Sequence, residues 1–329
     1  MKKARRWLLG LVAAVIVAGL GVVWIFGPTY GTALVGRPVF LLKPSPQRYA
    51  TTVFDIAERH GFYADSAEFA RARQLAEEDL AEADSIADTY PLIDSVLKAA
   101  GGKHSTLVVP GRISPERESA PLPTVETQKG IVKVTLPPTD QQWDGQEYAD
   151  AAAKPLVAAL EGGACGVIVD LRGNTGGDMG PMLAGVSSIL PDGDVLWFST
   201  GNYDSPVTIK GSSVSGGGTP TIASAEGKFK VPTALLIDEK TGSSGEATLL
   251  AFHGLENTRT FGLPTAGYAT ANISFEMSDG AWILLTTSQN KTRTGEIFGE
   301  DPIIPDQLSS FPERTAREWL HTQGCEVQN

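Results

Sequence analysis

Hydrophobic and polar positions follow several different periods along this chain, and each period predicts a different element. Residues 7–26 form one uncharged apolar run, about long enough to cross a bilayer as a helix. Between residues 47 and 100 apolar side chains recur at helical spacing, with Val53 and Ile56 on one face. Gly101 and Gly102 are a helix stop. We therefore expect a transmembrane helix followed by a small helical region.

After residue 102 the pattern changes to short apolar runs that are separated by glycine turns. Residues 131–136 alternate as a strand, residues 167–169 and 233–237 are continuous apolar runs, and helical patterns lie between them. Strands that alternate with helices predict an α/β fold. The expected domains are a signal anchor at 1–27, a linker and helical region at 28–102, and an α/β domain at 103–329. Smaller expectations are a helix that begins at Pro91, a proline-rich loop at 110–130 and a terminal helix at 311–320.

The residues before the apolar run predict its orientation. Residues 2–6 carry four basic side chains, and positive charge at this end places the N-terminus in the cytoplasm and the rest of the chain outside. The run is longer than the core of a usual signal peptide, and no persuasive cleavage site follows it. We expect an uncleaved anchor in preference to a cleaved peptide, hence a single-pass membrane protein with an extracytoplasmic domain.

Composition excludes some function classes. The 329 residues carry a net charge of −11, which makes nucleic acid an unsuitable partner. The two cysteines, Cys165 and Cys325, could form one disulfide, although the sequence alone cannot show that they do. No cluster of His, Cys and carboxylates has the spacing of a structural zinc site, and no cofactor is expected.

Candidate chemistry begins at a serine between a strand and a helix. Residues 241–246 read Thr-Gly-Ser-Ser-Gly-Glu and follow the apolar run 233–237. A serine on such a turn exposes its hydroxyl, so Ser243 is a candidate nucleophile and the N–H group of Ser244 a candidate oxyanion donor. An N-cap serine is the alternative interpretation. A second strand and turn, at 167–177, ends in Gly176 and Gly177, whose lack of side chains lets backbone N–H groups approach a ligand.

Three motifs in this order resemble the S41 serine peptidases, the family of C-terminal-processing and tricorn-core enzymes. They are Asp-Leu-Arg-Gly-Asn-Thr-Gly-Gly at 170–177, Ser-Ser-Gly-Glu at 243–246 and Pro-Thr-Ala-Gly at 264–267. The resemblance implies a crotonase/ClpP-like α/β core, a Ser243 nucleophile, an oxyanion hole from the N–H groups of Gly176 or Gly177 and of Ser244, and peptide or protein substrates. Within the family, the turn at 241–246 is similar to that of the nisin-resistance type, which has no PDZ domain.

The general base is the point at which this chain departs from the C-terminal-processing branch. That branch has a lysine where this chain has Tyr268, and a phenol, with an ordinary pKa of about 10, is a poor base at neutral pH. We assign Tyr268 to the substrate pocket instead. The tricorn-like branch has a histidine near the position of His104, which makes His104 the expected base. Glu300 or Glu296 could be the third catalytic member.

Three alternatives remain open. The first is a non-catalytic protein that binds peptides on the same fold, and the replacement of lysine by Tyr268 favours it. The second is an esterase or amidase that uses the same serine. The third, a crotonase-type acyl-CoA enzyme, fits poorly with an extracytoplasmic location, because CoA is scarce there.

Overall fold

The structure is a computed structural model that describes residues 2–111, 121–139 and 143–325. The described helices are α1 (Lys2–Val35), α2 (Pro46–His60), α3 (Ala67–Asp79), α4 (Ile86–Gly101), α5 (Gly145–Glu161), α6 (Met179–Gly185), α7 (Ser244–Leu250) and α8 (Pro312–Thr322). The described strands are β1 (Thr106–Val108), β2 (Thr124–Gln128), β3 (Ile131–Thr135), β4 (Gly166–Asp170), β5 (Gly193–Ser199), β6 (Asp204–Lys210), β7 (Ser213–Ser215), β8 (Thr221–Ile222), β9 (Thr233–Ile237), β10 (Thr258–Gly262), β11 (Thr270–Glu276), β12 (Trp282–Thr292), β13 (Ile297–Phe298) and β14 (Gln307–Leu308).

The chain divides into two units. The first comprises Met1–Pro115 and Asn272–Thr287, and the second Glu116–Ala271 and Ser288–Asn329. The α/β fold class that the sequence predicts is confirmed.

The first unit is helical and includes a hairpin. Helices α2, α3 and α4 share a buried core with apolar residues of β11 and of the first part of β12. The Asp279 carboxylate in the hairpin turn accepts hydrogen bonds from Tyr49 Oη (2.8 Å) and Tyr90 Oη (2.6 Å). These bonds attach the hairpin to α2 and α4, and burial together with the Asp279 carboxylate raises the pKa of Tyr90 to about 12.

Helix α4 corrects one expectation. We expected a helix to begin at Pro91, because proline is favoured in a first turn. Instead, α4 begins at Ile86 behind a capping box, in which Ser85 Oγ accepts from Asp88 N and the Asp88 carboxylate accepts from Ser85 N. Two satisfied backbone N–H groups fix this start, and Pro91 lies inside the helix. Gly102, with a φ of 76°, follows the last helical residue as expected.

The second unit contains a six-stranded sheet in the order β14-β10-β9-β4-β3-β2. The strands from β14 to β3 are parallel, and β2 is antiparallel to β3. Strand β2 lies within residues 110–130, where we expected a loop; the part of that segment at 112–120 lies outside the described residues. Both faces of the sheet are covered, one by α5, α6 and α7 and the other by α8, which is why every residue of β4 and β9 is buried.

A disulfide joins Cys165, just before β4, to Cys325, just after α8. The bond closes a loop of 160 residues and holds α8 against the sheet, where Leu320 and Cys325 are buried together. The pairing that the sequence left open is therefore formed.

Candidate active site

The candidate site lies at the carboxyl ends of β4 and β9. These strands are parallel neighbours, with Asp170 opposite Leu236, so the turns that follow them emerge side by side. Hydrogen bonds connect the two turns: Gly242 N donates to Asn174 O (2.9 Å), and Thr241 Oγ1 donates to Leu171 O (2.9 Å). This arrangement brings the first two sequence motifs together.

Ser243 has an unusual backbone conformation. Its φ is 53° and its ψ is −121°, a region that residues with a side chain rarely occupy and that costs about 1–3 kcal/mol. A strained serine between a strand and a helix is the geometry of a nucleophile elbow. Helix α7 begins at the next residue, and Ala247 N donates to Ser243 O (2.9 Å). The side chain is half-buried, as a nucleophile that meets a substrate requires.

A buried carboxylate holds this conformation. Glu246 is 0% exposed, and its Oε2 accepts from Ser243 N (3.0 Å) and Tyr268 N (2.7 Å). Its Oε1 accepts from Gly267 N (2.9 Å) and from Thr265 Oγ1. Burial raises the pKa of Glu246, while these four hydrogen bonds favour its charged form. Glu246 therefore links the serine turn to the Pro-Thr-Ala-Gly turn.

Sequence reasoning missed this role of Glu246. The signal was present, because Ser243 and Glu246 have the spacing of a capping box, in which the side chain at the third helical position reaches back to the N-cap. The carboxylate half of that box forms here. The two bonds to residues 267 and 268 depend on tertiary structure and could not be derived from spacing.

The two glycines that end the motif at 170–177 have different roles. Gly176 N donates to Asn174 Oδ1 (2.9 Å), so this N–H group is already occupied, which revises the expectation that it is an oxyanion donor. Gly177 has a φ of 117°, and a Cβ built on it would lie 1.4 Å from Thr139 O. Only glycine fits there. Ser244 Oγ donates to Gly177 O (2.7 Å), and this bond connects the motif at 170–177 to the serine turn.

Two N–H groups at this junction remain available. Within the part of the chain that the structure describes, no acceptor is recorded for the N–H group of Gly177 or for that of Ser244. Both flank the serine turn, since a Cβ built on Gly176 would lie 2.7 Å from Ser243 Cβ and 3.1 Å from Ser244 N. A pair of unoccupied N–H groups beside a serine is what an oxyanion hole requires.

The polar residues of the Asp-Leu-Arg-Gly-Asn motif support this geometry. Asp170 accepts two hydrogen bonds from the Arg172 guanidinium, at 2.8 and 2.5 Å. Asn174 is fully buried, and its Nδ2 donates to Leu136 O (2.9 Å) while its Oδ1 holds Gly176 N. These side chains fix the path of the loop.

Tyr268 lies beside the serine turn. Its N–H group is held by Glu246, and a Cβ built on Gly242 would lie 3.8 Å from Tyr268 Cδ2. The ring is half-buried. It is therefore placed to line the space near Ser243, as a pocket residue would be.

His104 belongs to the first unit, in the turn between α4 and β1. Its carbonyl accepts from Asn272 Nδ2 (3.4 Å), and the neighbouring Ser105 Oγ accepts from Thr286 N (2.9 Å). Burial, with a smaller contribution from the charge of Lys103, lowers the pKa of His104 to about 4. The imidazole is consequently neutral at neutral pH, as a proton acceptor must be.

The two candidates for a third member differ in surroundings. The Glu296 carboxylate lies 3.4 Å from His253 Nε2, at the edge of a cavity of about 590 Å³ that α7, β10 and residues 296–306 line. This contact gives Glu296 a partner other than His104. Glu300 is half-buried.

Lys240, which is close to Ser243 in sequence, has an exposed side chain, and its backbone N–H group donates to Asp238 Oδ1 (3.0 Å).

Comparison with known proteins identifies the architecture. The model of peptidase family S41 matches residues 134–309. The nisin-resistance protein of Lactococcus lactis subsp. lactis is 34% identical over 327 residues, which cover 98% of this chain and 99% of the relative. The carboxy-terminal processing protease CtpA of Bacillus subtilis (strain 168) is 26% identical over 219 residues, or 63% of this chain and 42% of the relative.

Solved structures agree. A lipoprotein from Streptococcus agalactiae superposes with a TM-score of 0.75 at 29% identity, over 87% of this chain and 99% of that one. The photosystem II D1 C-terminal processing protease has a TM-score of 0.56 at 14% identity, over 83% of this chain and 94% of that one, which shows a shared fold.

Proposed function

Since the chain belongs to peptidase family S41, and is thus a serine protease with peptide or protein substrates, we propose that it is a membrane-anchored, extracytoplasmic endopeptidase. Ser243 is its nucleophile and His104 its general base. The observation that carries this proposal is the strained Ser243 turn, with the N–H groups of Gly177 and Ser244 unoccupied beside it.

The proposed reaction has two halves. Ser243 Oγ attacks the carbonyl carbon of a peptide bond while neutral His104 accepts the hydroxyl proton. The carbonyl oxygen becomes an oxyanion, which the N–H groups of Gly177 and Ser244 stabilise; losing one such donor typically costs about 2.7–4 kcal/mol of barrier. His104 then protonates the leaving amine, and the peptide C–N bond breaks to leave the acyl-enzyme. In the second half His104 accepts a proton from water, whose oxygen attacks the acyl carbon, and returns the proton to Ser243 Oγ as the ester bond breaks.

The proposed substrate is a short peptide. The Lactococcus lactis relative, which this chain matches over nearly its whole length, is named for resistance to nisin. The turn at 241–246, which is similar to the nisin-resistance type, supports the same substrate class for Ser243. Tyr268, beside the serine turn, supplies an aromatic surface for substrate side chains.

Two observations support the proposed location. Residues Leu9–Val35 of α1 are apolar and long enough to span a bilayer, and none of the most apolar stretch is buried against the protein. The disulfide between Cys165 and Cys325 fits an oxidising compartment, because cytoplasmic thiols are kept reduced.

Covalent labelling tests the proposal. A fluorophosphonate probe reacts with activated serines, so the full-length protein should be labelled and Ser243→Ala should not. Digestion of a peptide library would then identify internal cleavage. Absence of labelling together with retained peptide binding would contradict the enzyme and favour the non-catalytic peptide-binding alternative, whereas labelling without peptide cleavage would favour an esterase or amidase.

A further inference from the structure

Helix α1 contains a proline that leaves a backbone carbonyl without its helical partner, and a side chain of another helix binds that carbonyl. Pro28 has no N–H group, so the carbonyl of Trp24, four residues earlier, loses its helical partner. The Arg48 guanidinium of α2 donates to that carbonyl, and its Cζ lies 3.8 Å from the centre of the Trp24 ring. A charged side chain is thus bound to α1 at Trp24. Because an arginine is costly inside hydrocarbon, this level of the helix belongs at or above the bilayer surface.

A second arginine contacts α1 six residues after Trp24. Arg59, also on α2, lies over the Tyr30 ring at 4.4 Å. Tryptophan and tyrosine are enriched where a helix leaves the membrane, since their rings are apolar and their edges polar. Trp24 and Tyr30 are therefore each in contact with a cation.

The chain after α1 folds back along it. Gly36, with a φ of 74°, allows the reversal, and Val39 N donates to Gly27 O (3.0 Å). Built Cβ atoms on Gly27 and Gly31 would lie 2.9 Å from Val39 O and 2.6 Å from Arg37 O, so only glycines allow this approach. The last two turns of α1 are covered by protein backbone on this side. The segment therefore runs back along α1 from Arg37 beside Gly31 to Val39 beside Gly27, and Leu41 and Leu42 follow two and three residues later.

Lengths agree with a bilayer that ends below these turns. At 1.5 Å per residue, residues 7–24 span about 27 Å, close to the hydrocarbon thickness of about 30 Å. The full apolar stretch Leu9–Val35 would span about 40 Å, more than the bilayer needs.

On the basis of the proposed anchor, we infer that the outer bilayer surface meets α1 at Trp24, and that residues 41–43 rest on the lipid. Leu41 and Leu42 are 40% and 68% exposed, and Lys43 beside them is exposed as well. Two apolar side chains next to a cation suit the interface, where the leucines enter the acyl boundary and the lysine meets lipid phosphates. Residues 27–35, although apolar, stand outside the membrane as a stalk bound to α2.

This inference predicts an unusual order of accessibility. Leu34, which is 82% exposed, lies on the apolar helix α1. Leu42 comes eight residues later in the chain, after α1 has ended. If the apolar stretch were immersed to its end, position 34 would be shielded, and the segment that folds back along α1 would be shielded with it. The stalk and its lipid contact predict instead that position 34 is accessible while position 42 is shielded.

Single cysteines and a membrane-impermeant maleimide, applied to intact cells that make the full-length protein, test this order. Both natural cysteines are in the disulfide and do not compete. We expect Leu34→Cys to react at least ten times faster than Leu42→Cys and Leu20→Cys not to react, with detergent abolishing the difference. Equal rates at positions 34 and 42, or a faster rate at 42, would overturn the inference. Release of the polypeptide from the membrane fraction would instead overturn the anchor on which it rests.

Discussion

The buried carboxylate of Glu246 gives the sharpest prediction about how the candidate site is held. Its two oxygens accept four hydrogen bonds, and one of these, from Ser243 N, fixes the strained turn. In Glu246→Gln one oxygen becomes an NH₂ group. That NH₂ group can still donate a hydrogen bond to Thr265 Oγ1, because a hydroxyl oxygen also accepts. It cannot accept from Gly267 N–H, so two donors face each other there.

The structure sets the size of the effect. An unsatisfied buried donor at Gly267 costs about 1–3 kcal/mol, and the two bonds to the remaining oxygen lose about 1 kcal/mol each when the charge is removed. Relief of the burial penalty, the same effect that raises the pKa of Glu246, offsets part of this loss. We expect Glu246→Gln to lower the free energy of unfolding by about 2 kcal/mol, and Glu246→Ala, which leaves several donors unpaired, by about 3–5 kcal/mol.

Turnover should fall more than this loss of stability implies, because the strain stored at Ser243 is free to relax once its N–H group is released. A misalignment that costs about 1.4–2.8 kcal/mol of barrier lowers kcat about 10- to 100-fold. Urea unfolding and steady-state kinetics measure both effects, with Glu226→Gln, an exposed glutamate of the same unit, as the matched control. Wild-type stability and kcat in Glu246→Gln would refute the reasoning.

Four further predictions rest on single observations. Tyr268→Phe should keep most of kcat and change KM, because in the proposed mechanism the ring lines the substrate pocket and His104 is the base; a loss as large as that of Ser243→Ala would contradict this. Replacing Cys165 and Cys325 by serine should cost about 2–5 kcal/mol in urea unfolding, and equal stability of the reduced wild type would contradict it. Because the pKa of His104 is about 4, kcat/KM should stay on its plateau down to about pH 5, and an apparent pKa near 7 would argue against His104. The lowered pKa of His104 also makes stability depend on pH. As pH falls, the unfolded chain protonates this histidine before the folded chain does, so the free energy of unfolding decreases between pH 6.5 and about 4.

The sequence predicted the local structure of the candidate site best, because that structure depends on neighbouring residues. The strand, turn and helix around Ser243 follow from an apolar run and a turn of two serines flanked by two glycines, all within 233–250. The neighbouring turn at 174–177 was recognisable for the same reason. What the sequence could not give is which backbone atoms are already occupied: Gly176 and Gly177 are equivalent in the motif, and only the Asn174 side chain distinguishes them.

Errors arose where two local rules competed. Proline at a first helical position suggested a start at Pro91, but the reciprocal bonds of Ser85 and Asp88 fix an earlier one. Polar and proline-rich composition suggested a loop around Thr124–Gln128, yet this segment pairs with β3 as an edge strand, whose side chains are mostly exposed. Exposed edge strands carry little hydrophobic signal, and pairing with a neighbour decides them.

The central claim is that Ser243 and His104 act as one catalytic unit, and a double-mutant comparison of peptide hydrolysis tests it most directly. Residues that act together lose activity together, so Ser243→Ala, His104→Ala and the double variant should all fall to the same residual rate. Circular dichroism should show all three folded, since neither change removes much buried apolar area. Near wild-type hydrolysis by His104→Ala across neutral pH, or losses that multiply in the double variant, would contradict the account.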